Sequence, residues 1–155
     1  MKEVVEKLIK LNKTIATMES CTGGHIVDAI TNVPGASNVL KFSCITYSNE
    51  YKIKMNVSSE IIDKYSVYSM EVAKEMSLKI SMFANSNYGI GITGKLLKKD
   101  ESNLYGKDDE VFISVYDRDV DKYYTGRITA VYDKREDNKD LVLLETIKLL
   151  KKSVR

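Results

Sequence analysis

Thr14-Ile15-Ala16-Thr17-Met18-Glu19-Ser20-Cys21-Thr22-Gly23-Gly24, running on into His25-Ile26-Val27-Asp28-Ala29-Ile30, is the stretch whose reading decides the fold. Residues 14–18 are rich in β-branched side chains and read as a short strand. Ile26, Val27, Ala29 and Ile30 recur at helical spacing, and Asn32 with Pro34-Gly35 ends that helix. Small hydroxylated residues and two glycines join the two. Such a turn aims backbone N–H groups and a helix dipole at one point, where an anion or an oxyanion is stabilised. A capped helix with a flexible first turn is the structural alternative.

Outward from this centre the pattern repeats. Val4, Val5, Leu8, Ile9 and Leu11 mark an amphipathic first helix. Residues 39–47 suggest a second, largely buried strand, followed by a short helical stretch that includes Lys52. Ser58-Ser59-Glu60 opens another short helix. Ser69 is a good N-cap for a long one, and Met70, Met76 and Met82 on it read as core filler. Tyr88-Gly89-Ile90-Gly91-Ile92-Thr93 is a third strand whose glycines point to close backbone approach. Residues 94–109 read as a polar surface loop. Residues 111–116 and 123–131 form a hairpin through Asp117-Arg118-Asp119, and Leu141, Leu144, Ile147, Leu149 and Leu150 supply a last helix. Helices between the early strands require crossover connections, and the late hairpin adds antiparallel pairing. The expected fold is α/β: a three-layer α/β/α sandwich with a mixed, mainly parallel central sheet.

Composition narrows the function classes. The 155 residues carry 24 Lys+Arg and 22 Asp+Glu, a net charge of +2, with 43% hydrophobic and 30% charged residues. This length fits one domain spanning 1–155. A charge of +2 without a basic block makes no electrostatic case for nucleic acid or an anionic membrane. The opening MKEVVEKLIKLNK holds neither a signal-peptide core nor a transit peptide, and no apolar run reaches membrane-spanning length. Cys21 and Cys44 make no disulfide framework and lack zinc-ligand spacing, so a cytoplasmic location and no metal are expected. His25 alone suggests no metal site.

Tyr47-Ser48-Asn49-Glu50-Tyr51-Lys52 follows the second strand. Ligands of open α/β sheets gather at the carboxyl ends of strands, so Tyr47 and Lys52 can face the same crevice as Ser20. A lysine activates a hydroxyl only as the free amine, and bringing its pKa from about 10.4 to near 7–8 costs roughly 4 kcal/mol. Further candidates are Ser37 after the Pro34-Gly35 turn, Thr93-Gly94 at a strand end, and Arg135 ahead of the last helix, where a guanidinium can clamp a phosphate.

ESCTGG (19–24), VPGAS (33–37), TYSNEYK (46–52), EVAKEMS (71–77) and GIGITG (89–94), in this order and spacing, resemble the CinA C-terminal domain family over almost the whole chain. The resemblance implies an α/β/α fold and deamidation of nicotinamide mononucleotide to nicotinate mononucleotide and ammonia, with no cofactor and commonly as a homo-oligomer. It places the family's functional residues on Ser20, Ser37, Tyr47 and Lys52. Lys52 would activate a serine, with Tyr47 as proton relay or oxyanion donor. Ser20 is the first choice of nucleophile and Ser37 its competitor. Thr22, Gly23, Gly24, Thr93, Gly94 and Arg135 are the expected substrate-binding positions. One segment departs from the family: a Gly/Pro-rich loop is replaced by residues 95–107, with one glycine and no proline, where lysines could stand in as phosphate ligands. Asp133-Lys134-Arg135 likewise keeps the family's arginine but loses the glycine of its G-D-R. The alternative to an active enzyme is therefore a catalytically weak relative that binds a nucleotide or a protein.

Overall fold

The computed structural model describes residues 1–98 and 101–155. Its elements are α1 (Lys2–Lys10), β1 (Ile15–Glu19), α2 (His25–Thr31), a 3-10 turn (Ala36–Asn38), β2 (Leu40–Ile45), α3 (Asn49–Lys54), α4 (Ser59–Tyr65), α5 (Met70–Ala84), β3 (Tyr88–Gly94), β4 (Glu110–Asp117), β5 (Lys122–Thr129) and α6 (Arg135–Ser153). The five strands lie in the order β2-β1-β3-β4-β5. β1 pairs with β2 and β3 in parallel, whereas β4 is antiparallel to both β3 and β5. Four strands thus run one way and only β4 opposes them. α1, α2 and α6 pack their apolar faces on one side of the sheet, around Val5, Ile26, Ile90, Ile113 and Leu150. α4 and α5 cover the other side, around Met18, Ile62, Val72, Met76 and Ile80. The expected α/β/α sandwich with a mixed sheet is what forms.

Ser48, Ser58 and Ser69 each cap a helix, accepting from Tyr51 N, Ile61 N and Val72 N. The glycines of β3 do what their place in a strand suggested. A Cβ on Gly91 would stand 2.8 Å from Met76 Cβ and closer still to the Ala73 carbonyl; one on Gly89 would strike the Ser77 carbonyl. α5 therefore lies against β3 backbone to backbone. Among the described residues no helix is long and apolar enough to cross a membrane.

The structure corrects four expectations. β2 is an edge strand and not a buried one, with Phe42 and Ile45 facing outward; its apolar run does not reveal that, among the described residues, it pairs with β1 alone. Met82 is 57% exposed, because it lies off the face of α5 that turns Val72, Met76, Ile80 and Ser81 to the core, while Met76 is fully buried. Residues 94–109 are not surface throughout: Lys95 N donates to Glu110 O at 2.9 Å, extending the β3–β4 ladder, and Lys95 and Leu96 are buried. The last helix begins at Arg135 itself. Of the segment 95–107, Lys99 and Asp100 lie outside the described residues.

Replacing Gly91 by Ala is expected to destabilise the protein by about 1–3 kcal/mol, the usual cost of overpacking. The check is a urea unfolding curve, with a lower midpoint and an unchanged slope.

Candidate active site

The last residue of β1 sets the geometry. Glu19 is fully buried, and its carboxylate accepts from the Thr22 hydroxyl at 2.6 Å, Gly24 N at 3.1 Å, Ile26 N at 3.2 Å and Val27 N at 2.9 Å. These include orphan donors of the first turn of α2, whose N-cap Gly24 has no side chain to satisfy them. The strand thus caps the helix that follows it, and a negative charge at that terminus also suits the helix dipole. The expected anion-holding helix terminus is therefore occupied by the protein's own carboxylate. Thr22, Gly23 and Gly24 build the turn and do not line the cavity that Ser20 faces.

Ser20 projects from that turn toward α3. Lys52, only 2% exposed, places its Nζ 3.1 Å from Ser20 Oγ and 2.7 Å from the Thr46 carbonyl. Thr46 N in turn donates to Glu19 O at 2.8 Å, so the ends of β1 and β2 are tied where the amine sits. Ser20 opens on a cavity of about 410 Å³ lined also by Tyr47, Gly94, Lys95 and Arg135. Arg135 is held by the Leu96 carbonyl at 3.0 Å and reaches the Tyr47 hydroxyl at 3.4 Å. As the first residue of α6 it opposes the helix dipole, and these contacts offset that cost.

The structure thus brings together Ser20, Tyr47, Lys52, Gly94 and Arg135. It does not bring Ser37 or Thr93 to them. Ser37 is exposed on the 3-10 turn before β2, at the end of the sheet where Leu40 pairs with Ile15. The length of β1 separates it from Ser20 by about 15 Å at roughly 3.3 Å per residue. Thr93 is buried and spends its hydroxyl on the Val67 carbonyl at 2.8 Å.

The sequence reading singled out neither Tyr68 nor Asn103, both of which line the cavity; neither stands in a motif. Lys95 and Lys98 had a signal, the lysines of the departing segment, and both line the cavity. Lys95 is buried, with Nζ 3.0 Å from Asp108 Oδ1 and 5.0 Å from the centre of the Tyr68 ring. Among the described residues no acidic side chain lines this cavity. His25 pairs with Asp140 at 2.8 Å, away from the cavity. Among the described residues no three of His, Cys, Asp and Glu converge as a metal site. Burial pushes the Cys21 thiol up to about 12, although Lys52 and Arg135 pull it down.

Two measurements test this electrostatic arrangement. Glu19→Gln turns one acceptor oxygen into a donor facing N–H groups and is expected to cost about 1–3 kcal/mol in urea unfolding. Cys21, protonated at pH 8 because its pKa lies far above, should resist a disulfide-exchange reagent when folded and react once the chain is unfolded.

A model of the CinA C-terminal domain matches residues 1–154. Relatives named competence-damage inducible protein are 47% identical over 92 residues in Alkaliphilus metalliredigens and 49% over 96 residues in Clostridium botulinum strain ATCC 19397. These matches cover 59% and 61% of this chain but 22% and 24% of the relatives, so the chain aligns with about a quarter of their length. Two crystal structures of CinA superfamily proteins share the fold. The one from Klebsiella pneumoniae has a TM-score of 0.89 at 22% identity, over 99% of this chain and 94% of that one. The one from Escherichia coli has 0.86 at 23%, over 97% and 86%. On the family match over nearly its full length, the chain belongs to the CinA C-terminal domain family.

Proposed function

We propose that the chain is an amidohydrolase that deamidates nicotinamide mononucleotide, with Ser20 as nucleophile and Lys52 as its base. The observation that carries this reading is the buried amine 3.1 Å from a serine hydroxyl at the mouth of a cation-lined cavity. Removing an amine from water favours its neutral form, the form that accepts a proton. Serine–lysine pairs perform acyl transfer on other folds.

The steps balance with water as the only co-reactant. The Ser20 oxygen bonds to the carboxamide carbon while its proton passes to the Lys52 amine. The resulting oxyanion is met by the Tyr47 hydroxyl, with the Arg135 guanidinium behind it. The tetrahedral intermediate collapses as the carbon–nitrogen bond breaks, and Lys52 returns its proton to the departing ammonia. Water, deprotonated by the same amine, then cleaves the acyl-serine to the carboxylate product and restores Ser20. Lys95, Lys98 and Arg135 supply positive charge for the substrate's phosphate.

Ammonia release from nicotinamide mononucleotide by purified protein is the direct test. Lys52→Met and Ser20→Ala should each lower the rate by at least about 10³-fold with the fold retained by circular dichroism. Ser37→Ala should stay within a few-fold of the parent. Full activity in Lys52→Met would remove the mechanism, and a collapse in Ser37→Ala alone would move the nucleophile.

A further inference from the structure

A second cavity, of about 770 Å³, adjoins the first and has no part in the deamidation described above. The two share Asn49, Tyr68, Ser102 and Asn103 as walls, so they are lobes of one depression. Between them stand the Tyr68 ring and a hydrogen bond from Asn49 Nδ2 to Asn103 Oδ1 of 3.0 Å. Lys95 Nζ, 5.0 Å from the centre of the Tyr68 ring, lies at this partition.

The lobes differ in chemistry. The near one is cationic. The far one presents Tyr65, Tyr68 and Tyr105 together with the carboxylates of Asp63 and Glu101 and the ammonium of Lys64. Tyr105 is 79% exposed and offers an open π-face, the surface on which a planar base stacks, whereas Lys64 Nζ stands over the Tyr65 ring, 5.0 Å from its centre. Carboxylates accept from sugar hydroxyls and from exocyclic amino groups.

We propose that the far lobe binds a second aromatic base, and that the ligand filling both lobes is a dinucleotide. Its carboxamide-bearing half occupies the near lobe, its diphosphate crosses the partition at Lys95, and its second base stacks on Tyr105 beside Tyr65 and Tyr68. The occupant of the near lobe rests on the deamidation reading. The base-binding far lobe does not.

Calorimetric titration of the Ser20→Ala protein, which prevents turnover, tests this with nicotinamide mononucleotide, nicotinamide adenine dinucleotide and adenosine 5′-monophosphate as probes. The dinucleotide should bind at least tenfold more tightly than the mononucleotide. Adding Tyr105→Ala should weaken the dinucleotide about tenfold, the scale of one lost stacking contact, and shift mononucleotide affinity less than twofold. Adenosine 5′-monophosphate should bind and compete with the dinucleotide. Equal affinity for the two nicotinamide nucleotides, or a dinucleotide advantage that survives Tyr105→Ala, overturns the proposal. Should the parent protein release no ammonia while the Tyr105-dependent advantage persists, the deamidation reading falls and the far lobe stands. Should ammonia be released with equal affinities, the far lobe alone falls.

Discussion

The carboxylate of Glu19 is the constraint on which the site is built. A strand that ends in the middle of a sheet must hand its chain to a helix on one face, and the first N–H groups of that helix need acceptors. Glu19 supplies them from the strand, so the five residues between strand and helix are bound at both ends. Its own carbonyl accepts from Thr46 N, which fixes the end of β2 against the same point. Ser20 is therefore presented by a rigid corner, and the Thr46 carbonyl, placed by the same contact, holds the amine of Lys52.

That corner separates two electrostatic jobs that adjacent residues could have confused. Glu19 faces inward and satisfies the helix; Ser20 faces outward, toward the cavity. Cys21 is buried beside Lys52 and Arg135, and desolvation prevails over their pull, leaving a protonated thiol. Positive charge at the cavity comes from elsewhere: Arg135 from the start of α6, and Lys95 from the continuation of β3. Because the Glu19 carboxylate already occupies the α2 terminus, the proposed mechanism assigns stabilisation of a developing oxyanion to Tyr47 and Arg135.

The far lobe follows from the same topology. The segment between β3 and β4 has to travel from one strand to its antiparallel neighbour, and its residues 101–106 line a wall next to α4 and Tyr68. Where a Gly/Pro-rich loop would bring backbone to a ligand, this chain offers lysines, asparagine and tyrosine. Side chains with distinct chemistry thus divide one depression into two unlike lobes.

Much of this protein was legible before any coordinates. The β-branched run 14–18, the alternation of strands with helical spacing and the late hairpin specify an α/β/α sandwich, because local periodicity and crossover rules leave few other arrangements. ESCTGG and YSNEYK mark the end of the sheet where Ser20, Tyr47 and Lys52 meet. Long-range facts decided the rest. That Glu19 fills the α2 terminus depends on the pitch of the turn, which spacing does not encode. That Ser37 lies a strand's length from Ser20 depends on the direction of β2, and that β2 is an edge depends on its pairing, among the described residues, with β1 alone. Lys95 became a cavity residue because ladder pairing with Glu110 carries it inward. A chain's periodicity reports which face of each element is apolar. Which elements become neighbours, and so which polar side chains share a dielectric, is settled only when they pack.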